Sequence, residues 1–313
     1  MIIFERIQTF FEIAAGMVTD PVSLAILFGS VLLGILFGAM PGLTSTLGVA
    51  LLTALTYSMN TEMAMICLLA IYVGGTYGGS YASILINIPG TAAAAATAMD
   101  GYPLAKKGQG GRAIGLTTTA SAIGTAVSML FVVSISPLIS KFALEFTSFE
   151  FFLLAFFGIL ISGTLTAPDL VIKGWIAGFL GLFLACIGRD QLQFFPRFTF
   201  GIPELESGIE VVPVLIGAFG IPQIIDVLRA RSQMPKAEKL QRIIPEIGTV
   251  LKNIPAIVRS ALIGVGIGAV PGIGEDIAGW VSYGTAKNTS SHPETFGTGE
   301  LKGVIASETA NNA

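Results

Sequence analysis

The sequence predicts an all-α polytopic membrane protein with two related halves, predicted to be inverted, that contain broken or re-entrant helices. Of its 313 residues, 53% are hydrophobic and 12% are charged, whereas soluble domains carry about 25% charged residues. Several apolar runs approach the roughly 20 residues that a helix needs to cross a bilayer. A glycine-rich motif ending in Pro-Gly also occurs twice, which indicates an internal repeat.

The apolar runs predict the elements in chain order. Residues 1–20 place apolar side chains at helical spacing, which predicts an amphipathic helix lying on the membrane surface or against the bundle. Between residues 43 and 99, glycine pairs and a Pro-Gly interrupt an apolar stretch, which predicts short or broken helices. The predicted spans, of which the last is short, are 21–40, 113–134, 149–165, 171–187, 211–225 and 256–270.

The charged loops indicate how the chain is oriented in the membrane and where its predicted units begin and end. The loop 226–259 is rich in Lys and Arg, and the positive-inside rule places it in the cytoplasm. A net charge of −3 without a basic stripe gives no support for nucleic-acid binding. The predicted units are an amphipathic N-terminal helix (1–20), a first repeat (21–139), scaffold transmembrane helices (140–225), a cytoplasmic basic loop (226–259) and the start of a second repeat (260–313).

The internal repeat is carried by the string G-x-x-x-G-A-x-P-G. Residues 34–42 and 264–272 both read this way, and an apolar residue and then polar side chains follow each copy. In secondary transporters, helices broken at matching places in two halves point to the binding site. The equivalent of Pro89 in the second copy would fall beyond Ala313. The second repeat is therefore predicted to be truncated, and the chain to be an incomplete version of a longer one.

The Pro-Gly breaks predict a ligand site at membrane depth. Irregular backbone is tolerated inside a bilayer only where it is buried in protein or lines a cavity. A helix that restarts at Thr44 or Thr91 directs unpaired N–H groups toward an anion such as a carboxylate. Exposed carbonyls at the breaks, with Glu275 or Asp276 as a nearby charge, are candidate Na⁺ ligands. The alternative is a proline kink with Ser or Thr back-bonding that has only a structural role.

The predicted site residues come from these breaks and from two polar or small-residue stretches. The glycine-rich stretch 72–103 allows close backbone approach, and the polar string 306–312 corresponds to it in the second repeat. The residues predicted to bind substrate are Pro41, Gly42, Thr44, Ser45, Thr46, Ser80, Asn87, Pro89, Gly90, Thr91, Pro271, Gly272, Asn311 and Asn312. Those predicted to bind a coupling ion are Gly42, Gly272, Gly274 and Asp276.

The remaining reactive side chains do not suggest catalysis. Cys67 and Cys186 lie in apolar runs and are expected to be buried, reduced thiols. His292 lies in a polar loop and is expected to be solvated, so a Ser–His protease is unsupported. Asp100 precedes Gly-Tyr-Pro and is expected to be a turn or cap residue. We therefore predict no enzyme activity and no cofactor, and only Na⁺ or H⁺ as a coupling ion.

In combination, these motifs resemble the large membrane subunit of the bacterial tripartite tricarboxylate transporters. The resemblance extends over nearly the whole chain. Two departures bear on substrate choice: Glu275 stands where relatives are expected to have a smaller residue, and the alanine run 92–95 replaces a more mixed stretch. The matching strings are GAMPGL (38–43), YVGGTYGGS (72–80), NIPGT (87–91), DGYPLA (100–105), PGIGEDIA (271–278), WVSYG (280–284), FGTG (296–299) and GVIASETANNA (303–313).

This resemblance implies a translocating subunit in the bacterial inner membrane. Such a subunit would work with a small membrane subunit and a periplasmic solute-binding protein. It would import citrate or a related carboxylate, driven by a gradient of Na⁺ or H⁺ rather than by ATP. Whether the subunit forms a homodimer is left open. The alternative is a non-transporting or channel-like membrane scaffold whose glycines serve only packing.

Overall fold

Helices account for most of the described chain in the computed structural model. A short antiparallel hairpin pairs β1 (Gly188–Arg189) with β2 (Pro196–Arg197), and single 3-10 turns occur at Pro203–Leu205 and Pro293–Thr295. The helices are α1 (Ile2–Thr19), α2 (Pro21–Ala39), α3 (Ser45–Thr56), α4 (Thr61–Ile86), α5 (Ala95–Lys106), α6 (Gly110–Ala143), α7 (Ser148–Thr166), α8 (Val171–Ala185), α9 (Ile247–Gly268), α10 (Gly274–Asn288) and α11 (Leu301–Asn312).

The structure describes most of the chain outside the segment 211–246. The described residues are 2–40, 45–91, 94–166, 170–190, 193–210, 213–214, 217–218, 221, 225, 243–245, 247–269 and 274–313. Side chains are not described at 2–6, 46, 54, 135–143, 154, 161–166, 275 and 276. Most of the predicted span 211–225 and about half of the predicted basic loop 226–259 therefore lie outside the described residues.

Four of the described helices are long and apolar enough to cross a membrane. They are Pro21–Ala39, Thr61–Ile86, Gly110–Ser134 and Ile247–Gly268. Large apolar side chains such as Phe28 and Leu32 on α2 are exposed, as a lipid-facing helix requires. Over the residues searched, Ser148–Leu160 and Val171–Ala185 are apolar but shorter. By helix length and composition, the prediction of an all-α polytopic membrane protein is confirmed.

Three local predictions differ from the structure. α4 continues without interruption through both glycine pairs, so the expected break within them is wrong. α9 begins at Ile247, well before the predicted start of this span at residue 256. The helix therefore includes polar residues, such as Lys252 and Asn253, that the predicted span left out. Cys67 is buried as expected, but Cys186 is exposed because it caps the end of α8, where the chain leaves the helix.

α2 and α4 pack with their backbones in direct contact through glycines. A Cβ atom added at Gly34 or Gly38 would overlap the backbone of Ile71 or Gly75 on α4. A Cβ added at Gly78 would likewise overlap the carbonyl group of Ile35. Such close approach is typical of helices that associate through small residues in membranes. It also explains why glycine does not break α4, since packing against a neighbouring helix offsets the low helix propensity of glycine.

The second copy of the repeated motif begins with a similar contact. A Cβ added at Gly264 on α9 would lie 2.6 Å from the carbonyl oxygen of Ala310 on α11. In both copies, the first glycine of the motif therefore meets the helix that lies two elements further along the chain. A Cβ added at Gly268 would meet nothing within 4 Å, whereas one added at the equivalent Gly38 would overlap Gly75. The packing of the two copies is therefore similar at the first glycine of the motif and differs at the second. The inverted repeat and the five predicted units stay predictions.

α11 lies at the centre of the described bundle. It packs against α4, α5, α6, α9 and α10, and every residue from 303 to 311 is buried. Val304 belongs to a hydrophobic cluster with Ile84 and Leu104, and Ile305 to a second cluster with Leu116 and Ile257. A short polar segment of the sequence is therefore enclosed by five neighbouring helices.

Replacing Gly38 by alanine is expected to destabilise the protein. The added methyl group would overlap backbone atoms that cannot rotate away, and such overpacking typically costs about 1–3 kcal/mol. Gly29→Ala on the same helix is the matched control, because a Cβ there would meet nothing within 4 Å. Thermal unfolding of the purified protein in detergent measures both variants. Equal melting temperatures for the two variants would contradict the packing described for α2 and α4.

Candidate functional site

Buried polar side chains converge on α11 from the helices around it. Ser307 and Glu308 on α11 and Thr97 on α5 have no exposed surface, and Ser80 on α4 is 2% exposed. Together with Asn312 at the end of α11, these residues form what we call the α11 polar cluster. A helix of this length is not stable in isolation. The conformation of this polar segment therefore depends on the helices that enclose it.

The carboxyl group of Glu308 lies at the centre of the α11 polar cluster. Thr97 Oγ1 lies 3.0 Å from Glu308 Oε2, and Asn312 Nδ2 donates to Oε1 at 2.9 Å. The Ser80 hydroxyl is near enough to favour the ionised carboxyl, although it forms no hydrogen bond of good geometry. Ser307 Oγ lies 3.0 Å from Thr97 Oγ1. Residues from α4, α5 and α11 thus meet at one carboxyl group.

No basic side chain among the described residues forms an ion pair with Glu308. The ion pairs found there are Arg189–Glu206, Arg197–Asp190 and His292–Glu294, and none of them includes a residue of α11. Burial raises the pKa of Glu308 to about 7, against the opposing effect of its hydroxyl and amide neighbours. α11 lies outside the four candidate spans. Because this pKa is raised on folding, the stabilisation from Glu308 is lost as the pH rises through about 7.

Several buried polar atoms on α11 and beside it have no hydrogen-bond partner among the described residues. They are Ser80 Oγ, Thr309 Oγ1, and both Nδ2 and Oδ1 of Asn311. An unsatisfied buried polar group costs about 1–3 kcal/mol, and folded proteins leave few of them. Among the described residues, the Asn311 amide therefore has donors and an acceptor that no protein group uses.

The residues of the second Pro-Gly break pack onto the glycines of α4. Gly90 N donates to the carbonyl oxygen of Gly79 at 3.3 Å. A Cβ added at Gly90 would overlap the carbonyl oxygen of Gly38 at the end of α2. Thr91 Oγ1 lies 2.6 Å from the position of a Cβ added at Gly79. The absence of side chains on α4 thus lets α2 and the break meet at one point.

The residues of this break also have clear structural roles. Asn87 ends α4 with a left-handed backbone (φ 58°), which asparagine tolerates better than most residues. Pro89 is fully buried. Thr91 Oγ1 accepts a hydrogen bond from Ala94 N at 3.3 Å, just before α5 begins. Thr91 therefore has a structural role just before α5, and its role in binding stays a proposal.

The structure brings together part of the predicted site. Ser45 Oγ lies 2.7 Å from the position of a Cβ added at Gly75, so it joins Gly90 and Thr91 beside α4. Ser80 and Asn312 lie in the α11 polar cluster. Gly274 begins α10, and the side chains of Thr46 and Asp276 are not described. The predicted site residues that lie outside the described chain are Pro41, Gly42, Thr44, Pro271 and Gly272.

Thr97, Ser307 and Glu308 are not among the site residues predicted from the sequence. The polar string 306–312, which contains Ser307 and Glu308, is predicted to line the site, but only its asparagines are predicted to bind substrate. The available signal is that Glu308 follows the apolar residues 304–306 after a single serine, without a Lys or Arg in the string. His292 is exposed, as expected.

Asp100 holds the loop that precedes α11. Its Oδ1 accepts hydrogen bonds from the backbone N–H groups of Gly297, Gly299 and Glu300, each at 2.8 Å. Asp100 lies inside α5, so the prediction of a turn residue is wrong, and the backbone groups it binds belong to a distant segment. Burial raises the pKa of Asp100 above its ordinary value despite these three donors. The contact fixes the start of α11 against α5.

Comparisons with known proteins support one family. Residues 24–313 match the tripartite tricarboxylate transporter TctA family. The chain is 36% identical over 294 residues to the "Uncharacterized 52.8 kDa protein in TAR-I ttuC' 3'region" of Agrobacterium vitis, covering 94% of this chain and 58% of that protein. It is 45% identical over 47 residues to the "Uncharacterized protein in TAR-II ttuC' 3'region" of the same organism, and this match covers 15% of this chain and 19% of that protein. The chain thus spans a little over half of the first relative. No solved structure matches it.

Replacing Asp100 by alanine is expected to release the loop before α11. Hydrogen bonds to a charged acceptor contribute about 1.5–3 kcal/mol, so the amide hydrogens of 297–300 should exchange at least about tenfold faster. Glu294→Ala is the control, because this exposed carboxylate lies in the same loop. Hydrogen exchange read by mass spectrometry measures both variants. Unchanged exchange in Asp100→Ala would show that Asp100 does not hold the loop.

Proposed function

The chain belongs to the tripartite tricarboxylate transporter TctA family, and we propose that it forms the translocating part of an ion-gradient-driven importer of citrate or related carboxylates. It is a multi-pass membrane protein, and the family and its four candidate spans are consistent with the bacterial inner membrane. The proposed partners are a small membrane subunit and a periplasmic solute-binding protein. The proposed coupling ion is Na⁺ or H⁺, and no enzymatic step is invoked.

The observation that carries this proposal is the buried, unpartnered amide of Asn311. An asparagine amide offers two donors and one acceptor. Its Nδ2 can therefore donate to a substrate carboxylate, while its Oδ1 can accept from a substrate hydroxyl, and citrate carries both groups. The unpartnered hydroxyl of Thr309 adds another donor on the same helix. A polar ligand would satisfy groups that the described protein leaves unsatisfied.

The helix break near α4 supports the same proposal. Ser45, Gly90 and Thr91 gather beside the glycines of α4, and Ser80 on that helix faces Glu308 on α11. Because Gly79 and Ser80 are adjacent on α4, this helix connects the break to the polar cluster on α11. The proposed substrate site extends over the predicted residues at both breaks, and a Na⁺ site is proposed at Gly42, Gly272, Gly274 and Asp276. Irregular backbone in such a region is consistent with transporter sites in general.

Replacing Asn311 by alanine is expected to lower citrate uptake at least about tenfold, since a lost hydrogen bond to a charged ligand is worth about 1.5–3 kcal/mol. The same substitution should not lower the melting temperature, because it removes buried polar atoms that have no hydrogen-bond partner among the described residues. Asn288→Ala at the exposed end of α10 is the matched control. The assay is uptake of labelled citrate by proteoliposomes containing the whole protein with its two partner proteins.

The outcomes of this assay separate the two functional classes. Loss of uptake with unchanged stability in Asn311→Ala supports a binding role. Reduced stability with normal uptake by the folded fraction would contradict it and make Asn311 a structural residue. Citrate movement that is equally fast with and without an ion gradient would instead favour the channel-like alternative.

A further inference from the structure

Glu308 is a buried acid whose described hydrogen-bond partners are neutral side chains. Its carboxyl group is fully buried and contacts the Thr97 hydroxyl and the Asn312 amide. An ionised carboxylate in such a place pays a large desolvation cost unless a cation compensates it. A buried acid of this kind can lower that cost by taking up a proton, if the neutral form is also well hydrogen-bonded.

Two hydroxyl groups allow both charge states of Glu308 to be hydrogen-bonded. Thr97 Oγ1 lies 3.0 Å from Glu308 Oε2 and 3.0 Å from Ser307 Oγ. Ser307 Oγ in turn lies 3.1 Å and 3.2 Å from the carbonyl oxygens of Gly303 and Val304. Each hydroxyl donates one hydrogen and accepts others. The three oxygens therefore form a chain that can run in either direction.

The direction of this chain follows the charge of the carboxyl group. In the ionised state, Ser307 donates to Thr97, and Thr97 donates to Oε2. In the protonated state, the carboxyl group donates to Thr97, Thr97 donates to Ser307, and Ser307 donates to a backbone carbonyl. Asn312 Nδ2 donates to Oε1 in both states. Gaining or losing the proton requires hydroxyl groups to rotate and leaves no member of the chain without a partner.

Among the described side chains of the helices packed against α11, no charged or titratable group forms an ion pair with this carboxyl group. On α4, the phenol of Tyr77 interacts electrostatically with Glu308 and is neutral at ordinary pH. Glu62 and Tyr72 on α4 and Lys252 on α9 are exposed, and Lys287 at the end of α10 is partly exposed. The side chains of Lys141 on α6 and of Glu275 and Asp276 on α10 are not described. The other described groups have these contacts: Cys67 with Ser30, Tyr81 with Tyr77, Asp100 with loop amides, Lys106 with the Tyr102 ring, Arg112 with Gln109, Arg259 with Thr289, and Tyr283 beside Asp100.

We propose that Glu308 takes up and releases the proton that accompanies the imported carboxylate. This inference rests on the proposed function and selects H⁺ as the ion bound at the α11 polar cluster. The proton moves between water and Glu308 Oε2, which is a carboxylate before uptake and a carboxylic acid afterwards. No covalent bond to the substrate is formed.

The position of Asn311 explains how the proton and the substrate would be coupled. Asn311 follows Glu308 by three residues on α11, so the two side chains lie on neighbouring positions of one helix face. A carboxylate bound at Asn311 would repel an ionised Glu308 and would favour its protonated form. Conversely, a protonated Glu308 removes that repulsion and favours binding of the anion. The raised pKa of Glu308, about 7, allows this exchange near neutral pH.

Infrared difference spectroscopy of the whole purified protein tests protonation without relying on transport. A band from the C=O stretch of a protonated carboxyl group should disappear as the pH rises through about 7. That band should be absent in Glu308→Gln and unchanged in Glu294→Gln, which alters an exposed carboxylate. A band that persists in Glu308→Gln would overturn the proposal.

A pair of variants at Thr97 tests the hydroxyl chain where Glu308→Gln fails to fold. Thr97→Val removes the donor to the ionised carboxyl group and should raise the titration midpoint by about one pH unit. Thr97→Ser keeps the hydroxyl group and should leave the midpoint unchanged. Equal midpoints in the two variants would overturn the proposed role of the chain.

Transport measurements separate failure of this inference from failure of the proposed function. In proteoliposomes with the partner proteins, Glu308→Gln should lose citrate accumulation driven by a pH gradient but retain citrate exchange between the two sides. Uptake driven only by a Na⁺ gradient, with no effect of Glu308→Gln, would overturn the inference and leave the importer intact. No citrate movement by the unmodified protein would overturn the importer, while the infrared titration would still report on Glu308.

Discussion

The helices of this chain approach one another backbone to backbone at glycine residues, and α11 is enclosed within the resulting bundle. At Gly38 and Gly75, no side chain separates α2 from α4, and at Gly264 the backbone of α9 meets that of α11. Small residues of this kind let helices associate in a membrane, where the surrounding lipid removes the usual hydrophobic driving force. Short hydroxyl side chains can then bridge neighbouring helices, as Thr97 on α5 does with Glu308 on α11.

This packing encloses a polar helix, and the enclosure has two chemical consequences. It removes water from Glu308, so that its neutral form is favoured to a higher pH than in solution. It also leaves the amide of Asn311 without a partner among the described residues, which makes it available to a ligand. The two groups lie three residues apart on α11, so an anion bound at one affects protonation at the other. Binding and charge neutralisation are thus properties of one helix.

The sequence was sufficient for the class of protein, the family, the helix break at Pro89-Gly90 and the close approach of the glycines. These features follow from local composition and from the backbone chemistry of Gly and Pro. It was not sufficient for the continuity of α4, because its glycines are held by contacts with α2 that no local pattern reveals. It also did not identify Glu308, since a glutamate in a polar string is more often solvated. Only the fold shows that five helices surround it.

Proton uptake on carboxylate binding is the most direct test of the account. Citrate binding to the whole purified protein can be measured by titration calorimetry near pH 7, in buffers with different ionisation enthalpies. We expect net proton uptake with citrate binding, loss of that uptake in Glu308→Gln, and retention of it in Glu294→Gln. Citrate binding without proton uptake, or with the same uptake in Glu308→Gln, would contradict this expectation.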